Sequence, residues 1–409
     1  MAAKSPRSVD EIRADFPALR RCHRNQPVAF FDGPGGTQVP QQVIDAMSDY
    51  LARHNANTHW AYPTSQETDR LIGEARLAVA DLLGAGADEV AFGLNMTSLT
   101  FHLARGLVRG WDAGDEIVLT ELEHHGNIAP WEAAAADRGL VVRRVPFRVD
   151  EGTLDVDQVI GAFGPRTRLV AIGWASNALG TVSDVGTVVA AAAGRGITTF
   201  VDAVHAVPHV LPDVRRLGCD FLACSAYKFY GPHLGILYGR AAALLAVEVP
   251  KVRPAPDTIP ERIETGTQSH EAIVGCRAAI DFLAGLAQGA DRRTALEAAY
   301  RILHERGTAL QERLWRGLAA LPGVALFGPP PAAPRTPTVA FVVKGIRSTD
   351  VAARLAEKGL FLSHGDFYAK TVVERLGLGP QGLVRAGCAC YTTADEVDRL
   401  IAGVASLPS

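Results

Sequence analysis

Phe200-Val-Asp-Ala-Val-His205 and, after nineteen intervening residues, Ser225-Ala-Tyr-Lys-Phe-Tyr-Gly231 decide the reading of this 409-residue chain. The first stretch completes Ile197-Thr-Thr-Phe-Val201, a β-branched and aromatic run after a Gly-Arg-Gly turn, which reads as a buried strand. Asp202 then stands at the strand's C-terminal end, and in open α/β sheets that end faces the ligand crevice. The second stretch follows Asp220-Phe-Leu-Ala-Cys-Ser225, another strand pattern, and delivers Lys228 to the same rim. A carboxylate that keeps a pyridine nitrogen protonated and a lysine that forms a Schiff base are what a pyridoxal phosphate (PLP) site requires. The alternative is a helix-capping Asp202 and a solvated Lys228, but a small, aromatic and Gly-Pro neighbourhood is an odd setting for a surface lysine.

Working outward, Gln41–Arg53 and Asp69–Leu83 read as amphipathic helices, Glu89–Gly93 as a short strand and Ser98–Val108 as a helix. Glu116–Leu119, Val141–Pro146 and Leu169–Trp174 continue the strands, with Ala- and Gly-rich helical segments between them. The alternation predicts a doubly wound, mainly parallel α/β sheet. Ala, Leu, Glu and Arg dominate Ile273–Ala320, predicting helix; Pro329-Pro-Pro-Ala-Ala-Pro334 predicts a loop before the strand Thr338–Val343. The expected division is a large domain over residues 30–272 and a smaller one from residues 1–29 and 273–409.

Composition narrows the function classes. The chain is 48% hydrophobic with 40 glycines and a net charge of −3, so it can bury a large core and carries no basic stripe for nucleic acid. No run approaches the roughly 18 apolar residues of a membrane span. The N-terminus Met-Ala-Ala-Lys-Ser-Pro-Arg-Ser-Val-Asp lacks an apolar signal core, so a cytoplasmic protein is the expectation. Six scattered cysteines show neither metal-knuckle spacing nor disulfide density; reduced thiols and no metal site are expected.

Asn95-Met-Thr-Ser98, Glu123-His-His-Gly-Asn127, Ser176-Asn-Ala-Leu-Gly180, Val201-Asp202, Ser225-Ala-Tyr-Lys228 and Glu264-Thr-Gly-Thr267 occur in the order and at the spacing of one family. From about Phe31 to about Leu400 the chain resembles the class V aminotransferase superfamily, in its cysteine desulfurase-like and C–S lyase branch. The resemblance implies fold type I: a large domain on a mainly parallel, seven-stranded-type sheet and a smaller α+β domain. It also implies PLP as cofactor, an amino acid substrate and a homodimer with shared active sites.

Residue by residue, Thr97 and Ser98, at a helix N-terminus that forms an anion site, are expected on the PLP phosphate, although ordinary N-capping explains the same pattern. Ser225 resembles the family serine that binds phosphate, and Thr267 the residue that reaches it from the other subunit. His124 is expected to stack on the PLP ring and move protons; the alternatives for His124-His125 are a surface pair or a metal site. Asn177 is expected on the phenolic oxygen or the substrate. His205 stands where glutamine is usual, and Tyr227 where histidine is usual. Gly33, in the turn Asp32-Gly-Pro-Gly-Gly-Thr37, is expected to border the substrate, and Arg385 to grip its α-carboxylate with a bidentate fork. His59, Trp60 and Tyr62 are candidates for pocket walls or for packing at a subunit contact.

The departure from the resemblance lies in Leu362-Ser-His-Gly-Asp-Phe-Tyr-Ala369, where Tyr368 aligns with the nucleophilic cysteine of sulfur-transferring desulfurases. Attack on a substrate sulfur requires a positioned thiolate. Cys388 and Cys390 lie nearby in sequence, on what looks like a strand, with packing the favoured role. The expected chemistry is therefore β-elimination at a Cβ–S bond of cysteine, cystine or an S-conjugate, with Lys228 as base and His124 or Tyr368 protonating the departing sulfur. Desulfuration through another cysteine, transamination, epimerisation and oxidative deamination remain open on the same scaffold, as does a non-catalytic PLP-binding protein.

Overall fold

The computed structural model describes residues 7–407. Residues Met1 to Pro6, part of the N-terminal stretch read above for a signal core, lie outside the described residues.

The framework is a seven-stranded sheet of β1 (Val90–Gly93), β2 (Glu116–Thr120), β3 (Val141–Val145), β4 (Thr167–Gly173), β5 (Thr198–Asp202), β6 (Phe221–Ser225) and β7 (Gly235–Gly239), in the order β1-β7-β6-β5-β4-β2-β3. Every neighbouring pair is parallel except those involving β7, which runs antiparallel to β6 and β1. The parallel strands need crossovers, and the helices that supply them cover both faces. Side chains alternate between two cores as the period of two demands. Val118, Val170, Val201, Leu222 and Ile236 face a layer that includes α1 (Pro63–Leu83), α4 (Val185–Ala193) and α5 (His270–Ala284). Ile117, Leu119, Ala171, Phe200, Phe221 and Leu237 face α2 (Met96–Leu107) and α3 (Ala129–Arg138), where Trp131 meets Phe200 edge-on at 5.1 Å.

A second, antiparallel sheet combines β8 (Val324–Phe327), β9 (Thr338–Val343), β10 (Ser363–Gly365) and β11 (Leu383–Gly387) in the order β8-β9-β11-β10. Val339 and Phe341 pack in one core with Leu314 and Leu318 of α6 (Arg292–Ala319). The same helix places Leu296, Ala299 and Tyr300 in the large core, so it pins the two sheets together. Gly387 also bridges to Asp32, which ties the N-terminal glycine turn to the small sheet.

Two sequence expectations change. The helical stretch Ile273–Ala320 is broken between Ala284 and Arg292, because Asp291 accepts from Thr294 N at 2.8 Å and starts a new helix with a reciprocal cap. Cys388 and Cys390 fall just beyond β11 rather than on it. Among the described residues no helix is long and apolar enough to cross a membrane.

Candidate active site

The C-terminal ends of β2, β4, β5 and β6 open into a pocket of about 780 Å³. Parallel register sets its floor, since Asp202 pairs with Gly173 on one side and Ala223 on the other. Asp202 is buried, and only its Oδ1 has a partner, Val204 N at 2.9 Å. Burial pushes its carboxyl up to about 6. Lys228 stands in a single helical turn directly after β6, its Nζ donating to the carbonyls of Pro34 at 2.6 Å and Gly35 at 2.9 Å. Burial, then the Arg385 charge, brings its amine down to about 7. An amine near neutrality is available as a base and nucleophile, which an ordinary lysine is not.

The glycine turn is docked onto this lysine. Thr37 N donates to Tyr227 O, and its Oγ1 accepts from Tyr230 N at 2.8 Å. A Cβ on Gly35 would stand 3.1 Å from Asp32 O and 3.5 Å from the Arg385 guanidinium, so the turn passes in contact with the carboxylate grip. Pro34 and Gly35 line the pocket, whereas Gly33, their neighbour in the same turn, faces Gly387 and Ala389.

Arg385, on β11, is buried with its Nη1 donating to Asn177 O at 2.7 Å and its Nη2 to Ser363 Oγ at 3.4 Å. Burial pulls its guanidinium down to about 9, and Asp32 opposes that pull. Its plane lies 4.1 Å from the Phe367 ring centroid. Asn177 Nδ2 donates to Phe367 O at 2.9 Å. His124 takes a hydrogen bond from Gly126 N on Nδ1 at 2.8 Å, which puts its ring proton on Nε2, and burial brings it down to about 4. His124 is therefore a neutral imidazole at pH 7. His205, also buried, turns Nε2 to Thr336 and Thr338 at 3.1 and 3.2 Å, and burial holds it far below the usual histidine range.

Ser225 Oγ accepts from Met96 N at 3.1 Å and stays in the pocket wall beside Thr97. Ser98 does not join them. Its hydroxyl donates to Asn95 O and accepts from Asn95 N, and its own N–H is capped by Asn95 Oδ1, so the helix end uses it up. Tyr227 stacks on His233 at 4.9 Å and lies under Lys228 Nζ at 4.9 Å. Thr267 is exposed in the bend after Gly266, outside the pocket walls of this chain, while Glu264 of the same motif is anchored to Arg76 at 2.7 Å. His59, Trp60 and Tyr62 are exposed and do not wall the pocket.

The rim is the loop from Asp366 to Ala369, directly after β10. Phe367 and Tyr368 both have left-handed backbones, φ 56° and 57°, which aromatic residues rarely adopt. Three hydrogen bonds hold them there: Asn177 Nδ2 to Phe367 O, His125 N to Tyr368 O at 2.7 Å, and Tyr368 N to Asp366 Oδ1 at 2.9 Å. Tyr368 is 75% exposed, and its ring lies 5.7 Å from that of His124 across the pocket mouth.

Glu123 and Asp32 also shape the site, although the sequence motifs containing them suggested no role. Glu123 is buried with Thr120, Asn127 and Gly173 N as donors, and burial still pushes it up to about 7. A Cβ on Gly173 would meet its Oε2 at 2.8 Å, so glycine is required where the carboxyl crosses β4. Asp32 is pushed up by burial and opposed by Arg385 and Lys228. Asn177 Oδ1, His205 Nδ1 and Arg385 Nε, all on pocket walls, are buried without partners. Together with a carboxylate lacking a cationic partner and an amine near neutrality, these groups suit PLP, whose ring nitrogen, oxygens and aldehyde carbon would engage them.

Comparison with known proteins agrees. The family model "Aminotransferase class-V" matches residues 29–400. The chain belongs to the class V aminotransferase family and is a PLP-dependent enzyme. Within that family its relatives are cysteine desulfurases. A probable cysteine desulfurase of Pseudomonas putida is 34% identical, covering 95% of each chain, and a cysteine desulfurase of Klebsiella pneumoniae is 35% identical, covering 97% of each. The apo structure of a cysteine desulfurase from Thermococcus onnurineus has a TM-score of 0.88 at 28% identity, covering 99% of this chain and 98% of that one.

Proposed function

We propose that this enzyme cleaves the Cβ–S bond of cysteine, cystine or an S-substituted cysteine by β-elimination, releasing a thiol, pyruvate and ammonia. The carrying observation is that none of the six cysteines lines the pocket, while the rim presents Tyr368. Cys388 and Cys390 are buried, and burial pushes both thiols up to about 12, so neither supplies a thiolate at neutral pH.

Asp202 would hold the ring nitrogen of PLP, Asn177 and His205 its phenolic oxygen, Thr97 and Ser225 its phosphate, and Lys228 its aldehyde carbon. When bound, PLP withdraws electrons from the substrate Cα and makes its proton acidic. Arg385 holds the substrate carboxylate with its forked donors. Lys228 Nζ takes the α-proton, the Cβ–S bond breaks with its electron pair going to sulfur, and the released enamine hydrolyses to pyruvate and ammonia. The neutral His124 carries its proton on Nε2, so that N–H and the Tyr368 hydroxyl, whose ring lies 5.7 Å away, are the two proton donors available to the sulfur. A thiolate is already a good leaving group, with a thiol pKa near ~8.5, so that donation contributes modestly. Thr267, displayed outward, fits a homodimer in which it reaches the partner's phosphate site.

The second reading is desulfuration, which the relatives favour. The holoenzyme with S-ethyl-L-cysteine separates them: elimination gives ethanethiol and pyruvate in equal amounts, and failure to release either, with L-cysteine turned over to alanine, contradicts the proposal.

A further inference from the structure

A second cavity, of about 450 Å³, lies on the far side of His205 from the PLP pocket, between the Pro331–Pro337 segment, the middle of α6 and the loop after His205. Val182, Val210, Leu303 and the prolines give it apolar walls, and none of its lining residues is acidic. Two of its polar groups keep a buried donor without a partner. Gln311 is 1% exposed, and its side-chain amide nitrogen has no hydrogen bond. Arg335 packs its guanidinium 4.5 Å from the Trp315 ring centroid; its Nη atoms donate to the carbonyls of Pro329, Leu179 and Thr338, no carboxylate pairs with it, and its Nε is buried and unpaired. His209 and His304 complete the polar wall, and burial, then the charge of His304, brings His209 down to about 3.

Buried donors are normally paired, and a buried cation normally has an anion beside it. A cavity of ligand size with apolar walls, no acidic lining residue and two unpaired buried donors, one of them on a cation, has the chemistry of a carboxylate site. We propose that this cavity binds a small organic carboxylate, its anionic end on Arg335 and Gln311 and its apolar body against the prolines and Leu303. The cavity communicates with the PLP pocket through one wall. Thr336 lines it and hydrogen-bonds His205 Nε2, and the His209 ring lies 5.5 Å from that of His205. A ligand that moves Thr336 or His209 moves His205.

Calorimetric titration of the holoenzyme with benzoate, against neutral benzamide, tests this. Benzoate is expected to bind and benzamide to bind about tenfold more weakly, the loss of one charged hydrogen bond. Arg335→Gln is expected to weaken benzoate about tenfold, and Thr308→Phe, which fills the cavity without touching Arg335, to abolish its binding while thermal unfolding stays normal. Arg385→Gln, in the PLP pocket, is expected to leave benzoate binding intact. Benzoate that does not bind, or whose binding disappears with Arg385→Gln and ignores both cavity variants, overturns the proposal.

Discussion

The floor and the rim of the pocket are built in opposite ways. Asp202 and Ser225 end buried strands held in register on both sides, and Lys228 follows β6 within one turn. The rim loop has no such ladder. Its two aromatic residues take left-handed backbones held by single hydrogen bonds, from Asn177 and His125 to their carbonyls and from Tyr368 N to Asp366. Under the proposed function the two regions divide the labour, the sheet holding the cofactor and the rim loop deciding what happens to the sulfur.

The comparison can be broken most readily at the floor. Lys228→Ala is expected to lower kcat by about a thousandfold or more, since it removes the base and the nucleophile together; pyruvate formation under substrate saturation reads it. Arg385→Ala is expected to lower kcat/KM about a hundredfold, with the loss of a forked charged contact to the substrate. It should also lower stability, because Asp32 loses its opposing charge; denaturant melts read that second effect.

At the rim the expected effects are smaller. Tyr368→Phe keeps the ring beside His124 and should slow elimination about tenfold or less, because the leaving thiolate needs little help. Tyr368→Cys is the sharper test. A thiol at this position should divert part of the L-cysteine flux from pyruvate to alanine, and an unchanged product ratio would mean that the loop does not choose the reaction. Cys388→Ala and Cys390→Ala should change turnover by no more than about twofold while lowering stability by about 1 kcal/mol, the signature of packing.

The Lys228 environment also predicts a pH dependence. Its amine titrates near 7 in the folded apoprotein, against 10.5 ordinarily. Between those values the unfolded chain holds a proton that the folded amine has released, so this group makes stability rise with pH across the window. Below about 7 both states are protonated and the contribution is flat. Urea unfolding of the apoprotein at pH 7 and 9 should show a larger gain for the wild type than for Lys228→Met.

Much of the floor was legible in the sequence because short, continuously apolar strands flanked by glycines show where a parallel sheet ends. Asp202 and Lys228 follow from that local pattern. The antiparallel β7, Gly-Ile-Leu-Tyr-Gly, was not legible, since five apolar residues carry no direction. Ser98 and Gly33 each sit within two residues of a pocket-lining neighbour, Thr97 and Gly35, and only the rotation of the helix or turn decides which one faces inward. Glu123, Asp32 and Phe367 owe their importance to partners distant in sequence, namely Gly173 for Glu123 and Arg385 for Asp32 and Phe367. Nothing in a residue's immediate neighbourhood records such a pairing. The break between α5 and α6 is the converse case, because Gly289 and Asp291 were visible turn and cap signals inside an otherwise helical composition.

The most direct test is the product ratio from L-cysteine with the holoenzyme, measured as alanine against pyruvate, together with mass spectrometry of the protein for a bound persulfide. The account predicts pyruvate and sulfide in equal amounts and no persulfide on any of the six cysteines. Alanine as the main product, with a persulfide on one cysteine, would contradict it and establish sulfur transfer.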